Sequence, residues 1–310
     1  MEHIFGPVRS RRLGFSLGVD LVPFKTCSLN CIYCQLGPTT HQTIERREYV
    51  TQDKVIRDLE EVLRQDITID YITLSGSGEP TLNVQLGKII AAIKEMTDIP
   101  VAVITNGTLL HLESVRDELS TADVVLPSLD AVSQALFNAV NKPHPELTAA
   151  QMISGLKNFR KVFKGKLWLE IMLVKGVNDS PHEVRTMNEV LSTIECDKIQ
   201  LNTVVRPAAD TSLTPLTREE LNRFKVLLGE RCEVIAEGVG EQKTSSTNIA
   251  EKIITVVGRR PLNLSEISDS LGIPQERATK MLQLLTQQGK IESLTYGSEL
   301  YYQLKREVKR

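Results

Sequence analysis

Three of the chain's five cysteines, Cys27, Cys31 and Cys34, lie within eight residues, while Cys196 and Cys232 stand alone. In a reducing compartment, clustered thiols are metal ligands or catalytic groups rather than disulfides. Pairing any two of the triplet would also strand the third. Three thiolates on one short loop can wrap a face of a cubane iron–sulfur cluster. The fourth iron then has no protein ligand, and an open metal position is where a substrate or cofactor binds directly. Zinc is the rival metal. It asks for four ligands in paired short spacings, no second Cys or His pair lies nearby, and His41 is the only close imidazole. One-electron chemistry from an iron–sulfur cluster is therefore expected. Cys196 and Cys232 are expected to be buried apolar residues.

The triplet must be held by the elements around it. Residues 1–240 read as strands alternating with helices. The expected strands are 17–22, 71–75, 101–105, 124–128, 167–174 and 198–204, short and near-continuously apolar, as parallel strands buried on both faces should be. The expected helices are 52–65, 86–96, 112–119, 148–163, 181–193 and 218–228. In the first of these, Val55, Ile56, Leu59, Val62 and Leu63 make one apolar face. Pro181 suits a first helical turn. Six such units with right-handed crossovers imply an α/β fold whose parallel sheet curls toward a barrel. Six is fewer than the eight of a closed barrel, so a partial (β/α)6 barrel is expected.

A polar stretch at 241–248 reads as a linker. Beyond it, helices are expected at 249–257, 263–271 and 275–288, then strands at 290–294 and 300–304 joined at Tyr296-Gly297-Ser298. Helix, helix, turn, helix, hairpin is the order of a winged helix. The expected domains are thus a partial barrel over 1–240, the linker, and a small C-terminal winged-helix domain over 249–310.

The spacing Cys-x3-Cys-x-aromatic-Cys, ahead of a parallel βα series, resembles the radical S-adenosylmethionine (SAM) superfamily. More narrowly, the segments GPVRSRRLGFSLGVDLVPFKTCSLNCIYC and SGSGEPTL resemble the iron–sulfur oxidoreductases grouped with the wyosine-forming tRNA enzymes. The resemblance implies a [4Fe–4S] cluster on Cys27, Cys31 and Cys34, with SAM chelating the open iron. One electron then breaks the sulfonium C–S bond, and the resulting 5′-deoxyadenosyl radical abstracts a substrate hydrogen. It also implies a low-potential electron donor of the flavodoxin or ferredoxin type.

Site residues follow from the same resemblance. Tyr33 matches the aromatic near the adenine, or simply packs. Ser77, Gly78 and Glu79 match a Gly-Gly-Glu motif that holds the SAM amino group, with Ser77 where the family has its first glycine. Asn106, in Thr105-Asn106-Gly107, would line the SAM pocket, or belong to a plain Asn-Gly turn. Ser128 and Asp130 end the fourth strand, where ribose and carboxylate contacts are placed; Asp130 could instead cap a helix. Glu170 is a charge inside an apolar strand and must bind ligand or pair with a Lys or Arg. Asn202, the backbone of Val204, and Arg206 are placed at the end of the sixth strand, facing the pocket. Arg9, Arg11 and Arg12 are either a solvated face or a contact to a phosphate-bearing substrate.

The substrate is less defined. No cysteine precedes Cys27, so the second cluster of the wyosine-forming relatives has no ligands here, and wyosine formation is not the expectation. RNA or another nucleic acid is a candidate partner. Residues 249–310 hold ten Lys and Arg against seven Asp and Glu, net +3, whereas the remainder holds 27 against 32, net -5. Arg277, Lys280, Gln283 and Gln287 share the third helix and could meet phosphates or bases. The alternative is an iron–sulfur redox sensor that binds DNA through the winged helix. Overall charge is balanced, 37 Lys and Arg against 39 Asp and Glu, so no global field draws the chain to nucleic acid or membrane. No apolar run reaches spanning length and the N-terminus is too polar for a secretion signal. A cytoplasmic location is expected.

Overall fold

The computed structural model describes residues 3–65, 67–235 and 249–305; the expected linker at 241–248 and the boundary at 240 lie outside the described residues. The chain opens with an antiparallel hairpin of β1 (Ile4–Ser10) and β2 (Gly14–Val19). Two short strands, β3 (Thr26–Cys27) and β4 (His41–Gln42), clasp the ends of the cysteine loop. Strands and helices then alternate: α1 (Gln52–Leu63), β5 (Tyr71–Leu74), α2 (Leu86–Met96), β6 (Val101–Thr105), α3 (Glu113–Leu119), β7 (Val124–Pro127), α4 (Gln134–Val140), α5 (Ala149–Val162), β8 (Lys166–Leu173), α6 (Pro181–Leu191), β9 (Lys198–Thr203), α7 (Arg218–Leu228) and β10 (Cys232–Val234).

The main sheet runs β1-β2-β5-β6-β7-β8-β9-β10, and every neighbouring pair from β2 onward is parallel. All six expected strands are present. The expected count of six is corrected by two additions, the antiparallel β1 and a seventh parallel strand, β10. Both evade an apolar-run reading: β1 carries Gly6, Pro7 and Arg9, and β10 has only three residues. Helix α4 is likewise additional. It is seven residues long, capped by the Ser133 hydroxyl, and buries Phe137 and Val140.

Burial follows the alternation of layers. Leu17, Val19, Ile72, Leu74, Val101, Val103 and Val125 fill the sheet side of the core. Helix α1 buries Val55, Leu59 and Val62, with Ile56 and Leu63 partly covered at the rim of that face. Helix α6 starts at Pro181 with the Ser180 hydroxyl accepting from Glu183 N, so the expected N-terminal proline is in place. Cys196 and Cys232 are both buried in this core, as expected.

The sheet is rolled. Laid flat, β1 and β8 would stand five strand spacings apart in the strand order, about 24 Å. Yet Arg12, just after β1, forms an ion pair with Glu170 in the middle of β8. Only curvature brings them together.

After the undescribed segment come α8 (Ile249–Arg259), β11 (Leu262–Asn263), α9 (Leu264–Leu271), α10 (Gln275–Gln287), β12 (Ile291–Tyr296) and β13 (Glu299–Leu304), with sheet order β11-β13-β12. These elements bury their own cluster, including Ile253, Val257, Ile267, Leu282, Leu285 and Ile291. The unit packs on both sides of the rolled sheet's opening. Val8 of β1 joins its core. The Tyr296 hydroxyl donates to the Leu213 carbonyl (2.6 Å) and the Tyr301 hydroxyl to the Val205 carbonyl (2.9 Å), both in the segment after β9. Among the described residues no helix is long and apolar enough to cross a membrane.

Candidate active site

The cysteine loop hangs from the end of the hairpin. Each of its three thiols receives an N–H donor from a different part of the fold. Lys25 Nζ donates to Cys34 Sγ (3.1 Å), Asn106 Nδ2 to Cys27 Sγ (3.5 Å) and Asn141 Nδ2 to Cys31 Sγ (3.4 Å). Lys25 is only 2% exposed and holds a left-handed backbone, φ 59°. The Cys34 sulfur is the hydrogen-bond acceptor of this buried side chain. Burial pushes the Cys27 thiol up to about 12, with the nearby Glu79 adding to it. Burial, then Asp130, pushes Cys31 up as well. Burial thus favours the neutral form of both thiols.

Among the described residues, no three His, Cys, Asp or Glu side chains gather closely enough to share one ion. A single zinc requires that convergence. A cubane does not, because it takes one thiolate per iron. Three separated thiols, each facing an N–H group that suits sulfide or thiolate charge, fit a cubane cluster. His41 is exposed and engaged through its backbone.

The turn after β5 lies against this loop. Lys25 N donates to the Ser77 carbonyl (2.7 Å) and Glu79 N to the Thr26 carbonyl (3.0 Å). Gly78 is obligatory here, since a Cβ would sit 1.9 Å from the Thr26 carbonyl oxygen. The Glu79 carboxylate is buried and raised in pKa by that burial, but it is well met: Oε1 accepts from Thr81 N (3.0 Å), Thr81 Oγ1 (2.6 Å) and Thr105 Oγ1 (2.6 Å), and Oε2 from Asn106 N (2.7 Å). It ties the ends of β5 and β6 together and caps the turn at Pro80. Oε2 retains accepting capacity for one more donor. Asn106 is equally committed, since its amide oxygen accepts from Thr108 while its Nδ2 reaches Ser28 and Cys27. Gly107 follows with φ 76°, the left-handed turn that the Asn-Gly pair anticipates.

On the other flank, Asp130 organises four groups. Tyr33 OH donates to Asp130 Oδ2, Asn141 Nδ2 reaches the same oxygen (2.7 Å), Met172 N donates to Oδ1 (2.9 Å), and Asn178 Nδ2 holds the Asp130 carbonyl (2.8 Å). Burial raises the Asp130 carboxyl to about 6. Asp130 does not cap α4; Ser133 does. The Tyr33 ring packs in a small apolar cluster with Ile32, Met172 and Val204. Ser128 pairs with Glu170 across the sheet. Glu170 is ion-paired with Arg12 and accepts from Asn202 Nδ2 (3.0 Å). Of its two expected fates, pairing with a cation is the one found. The Val204 carbonyl accepts from Tyr296 OH (3.3 Å), and Arg206 pairs with Glu266 of α9.

Four residues of this site escaped the sequence reading: Lys25, Asn141, Asp20 and Arg259. Lys25, two residues before Cys27, offered a positional signal. Asn141 lies 110 positions from Cys31 and offered none. Asp20 directly follows β2; its carboxylate accepts from Ser77 N (3.1 Å), the Ser77 hydroxyl and Arg259 Nη1. Arg259, from the end of α8, also donates to Ser77 Oγ (2.8 Å) and lies over the Phe5 ring. Ser77 thus has a structural use for its hydroxyl that glycine could not serve.

Comparison with known proteins bears on this arrangement. The chain is 39% identical over 305 residues to the GTPase Obg of Brachyspira hyodysenteriae, covering 97% of this chain but 45% of that one, so it spans less than half of that relative. It is 30% identical over 309 residues to UPF0026 protein MJ1312 of Methanocaldococcus jannaschii, covering 97% and 96% of the two chains. A dual-specificity RNA methyltransferase RlmN of Caulobacter sp. is 30% identical over 186 residues, 54% of this chain and 44% of that one. A crystal structure of a radical SAM methyltransferase from Sphaerobacter thermophilus shares the fold, with a TM-score of 0.52 over 71% of this chain and 65% of that one at 20% identity. The radical SAM superfamily signature matches residues 21–187, a span that starts just before the cysteine loop and runs past Glu170 on β8. The chain therefore belongs to the radical SAM superfamily, enzymes that work with a [4Fe–4S] cluster and S-adenosylmethionine.

Proposed function

We propose that Cys27, Cys31 and Cys34 would hold the cluster and that residues at the ends of β5 to β9 would hold SAM. The observation that carries this reading is the set of three N–H donors, one per thiol, from Lys25, Asn106 and Asn141. When bound, cluster and SAM together supply one-electron cleavage and a radical for hydrogen abstraction. The chain's own residues hold and orient. Glu79 Oε2 offers its remaining accepting capacity to an ammonium. Gly78 lets the turn after β5 lie against Thr26 of the cysteine loop, which fixes Glu79 beside it. The Ser128 hydroxyl, with no hydrogen-bond partner among the described residues, suits a ribose hydroxyl. Tyr33 and Val204, in one apolar cluster, give an aromatic and backbone wall for an adenine. Glu170 and Asn202 orient each other and Arg12 from one side.

The partial barrel and the C-terminal winged helix are part of this reading, with division into 1–240 and 249–310. The substrate is RNA or a nucleotide-like molecule, supported by the partial likeness to an RNA methyltransferase and by the basic C-terminal unit. A low-potential flavodoxin- or ferredoxin-type donor supplies the electron. The redox-sensor alternative draws no support from the comparisons. Anaerobic reconstitution with iron and sulfide, followed by dithionite and SAM, tests the reading. Release of 5′-deoxyadenosine is expected, and a loaded cluster that leaves SAM intact would overturn it.

A further inference from the structure

Between the C-terminal unit and the opening of the rolled sheet lies a cavity of about 940 Å³, lined among others by Arg9, Arg11, Arg206, Arg260, Glu266 and Tyr296. That is within the size range of small-molecule sites, about 300–1,000 Å³. Four guanidinium groups on one cavity wall are unusual because each repels the next. Burial draws Arg11 down to about 10, with Arg206 and Arg12 adding to the fall. Arg260 is drawn down by burial and then by Arg206. The groups therefore lie within one another's field.

Their donors are also unmet. Arg206 is 4% exposed; Nη2 is taken by Glu266, but Nε and Nη1 have no hydrogen-bond partner among the described residues. Arg9 Nη1 is buried in the same condition. Among the described residues, the Arg11 and Arg260 side chains form no hydrogen bond or ion pair. The acids of the wall are differently placed. Glu266 holds Arg206 and caps its own helix through Asn263 N. Glu299 takes Asn263 Nδ2 (2.6 Å) and the Tyr301 hydroxyl (3.2 Å). Asp269, half-buried, completes the lining acids. Glu266 and Glu299 are engaged, while buried donors of Arg9 and Arg206 are left over. Unpaired buried donors are rare enough in folded proteins to call for a partner. The partner whose geometry suits several guanidinium forks at once is a phosphate.

We propose that this cavity is a phosphate-binding subsite that seats a phosphate ester of the substrate. The proposal deepens the reading of a nucleotide-like substrate and rests on it. It also places that substrate. Arg11 adjoins Arg12, the partner of Glu170, and Arg206 lies three residues beyond the end of β9. The phosphate seat therefore borders the proposed SAM site at the strand ends, on the side covered by the C-terminal unit.

Calorimetric titration of the anaerobically purified, cluster-loaded enzyme tests this. The probes are AMP, inorganic pyrophosphate and adenosine. AMP or pyrophosphate should bind at least tenfold more tightly than adenosine. Arg11→Gln and Arg260→Gln should each weaken that binding at least tenfold while leaving iron content and melting temperature unchanged or raised, since each removes an unpaired charge. Arg206→Gln also breaks the Glu266 pair and is not needed for the conclusion. Equal binding of all three probes, or phosphate affinity that survives Arg11→Gln, would overturn the proposal. A 5′-phosphorylated ribo-oligonucleotide that displaces AMP assigns the seat to a polynucleotide end; one that does not assigns it to a mononucleotide. SAM cleavage is measured in parallel on the wild type. Its failure strikes the proposed function and leaves the phosphate result standing.

Discussion

The residues at the strand ends and those lining the cavity beneath the C-terminal unit are both rich in ionisable groups, but their hydrogen bonding differs. At the strand ends, buried charge meets charge or a donor: Glu79 has four donors, Asp130 three on its carboxylate, Asp20 meets Arg259, and Glu170 meets Arg12. In the cavity, Arg9 Nη1 and Arg206 Nε and Nη1 are buried with no hydrogen-bond partner among the described residues. Pairing at the strand ends orients side chains before any ligand arrives, as the proposed cluster and SAM site would require. The surplus in the cavity leaves interaction to be completed from outside.

The contrast can be broken by substitution. The largest effect belongs to the cluster ligands. Cys31→Ala should abolish iron loading, whereas Cys196→Ala, in the apolar core, should leave it unchanged; an iron assay that gave the reverse would mean the wrong thiols are assigned. Next is Glu170→Ala, which strands Arg12 inside the rolled sheet. Denaturant unfolding should show a loss of about 3–5 kcal/mol, the usual result of breaking a buried pair from one side. A loss no larger than that of Arg11→Gln would erase the difference between the two regions. Arg259→Ala, which strands Asp20 and loosens Ser77, should cost about 1–3 kcal/mol and raise the SAM concentration needed for half-maximal cleavage. An unchanged SAM dependence would limit Arg259 to a packing role.

The smallest effect is a pH dependence at Asp130. Its folded carboxyl titrates at about 6, above the ordinary 3.8. The folded form thus keeps a proton that the unfolded form has lost, so this group's stabilisation is present at low pH and fades as pH rises through 6. Asp130→Asn cannot ionise. Its stability relative to wild type should therefore improve by roughly 1 kcal/mol from pH 5 to pH 7. A difference that held constant across that range would show that the carboxyl is not raised.

Much of the scaffold was legible along the chain. The six central strands announce themselves because parallel strands buried on both faces must be apolar throughout. Strands β1 and β10 did not, since an edge strand can hold Gly, Pro and Arg, and three residues carry no pattern. In the site, Ser77 read as a departure from a glycine motif. Its reason lies 182 positions away, in Arg259.

The cysteine loop and the strand–helix alternation were determined by sequence alone, because three thiols on eight residues and runs of apolar residues act over distances the local chain sets. Which charges meet was decided only by tertiary structure. Glu170 could as well have faced a ligand as a cation until the sheet's roll brought Arg12 across to it. The arginines at 9, 11, 206 and 260 became one surface only when the C-terminal unit packed over the opening. Electrostatic partnership depends on separation in space, and for these groups curvature and docking set that separation.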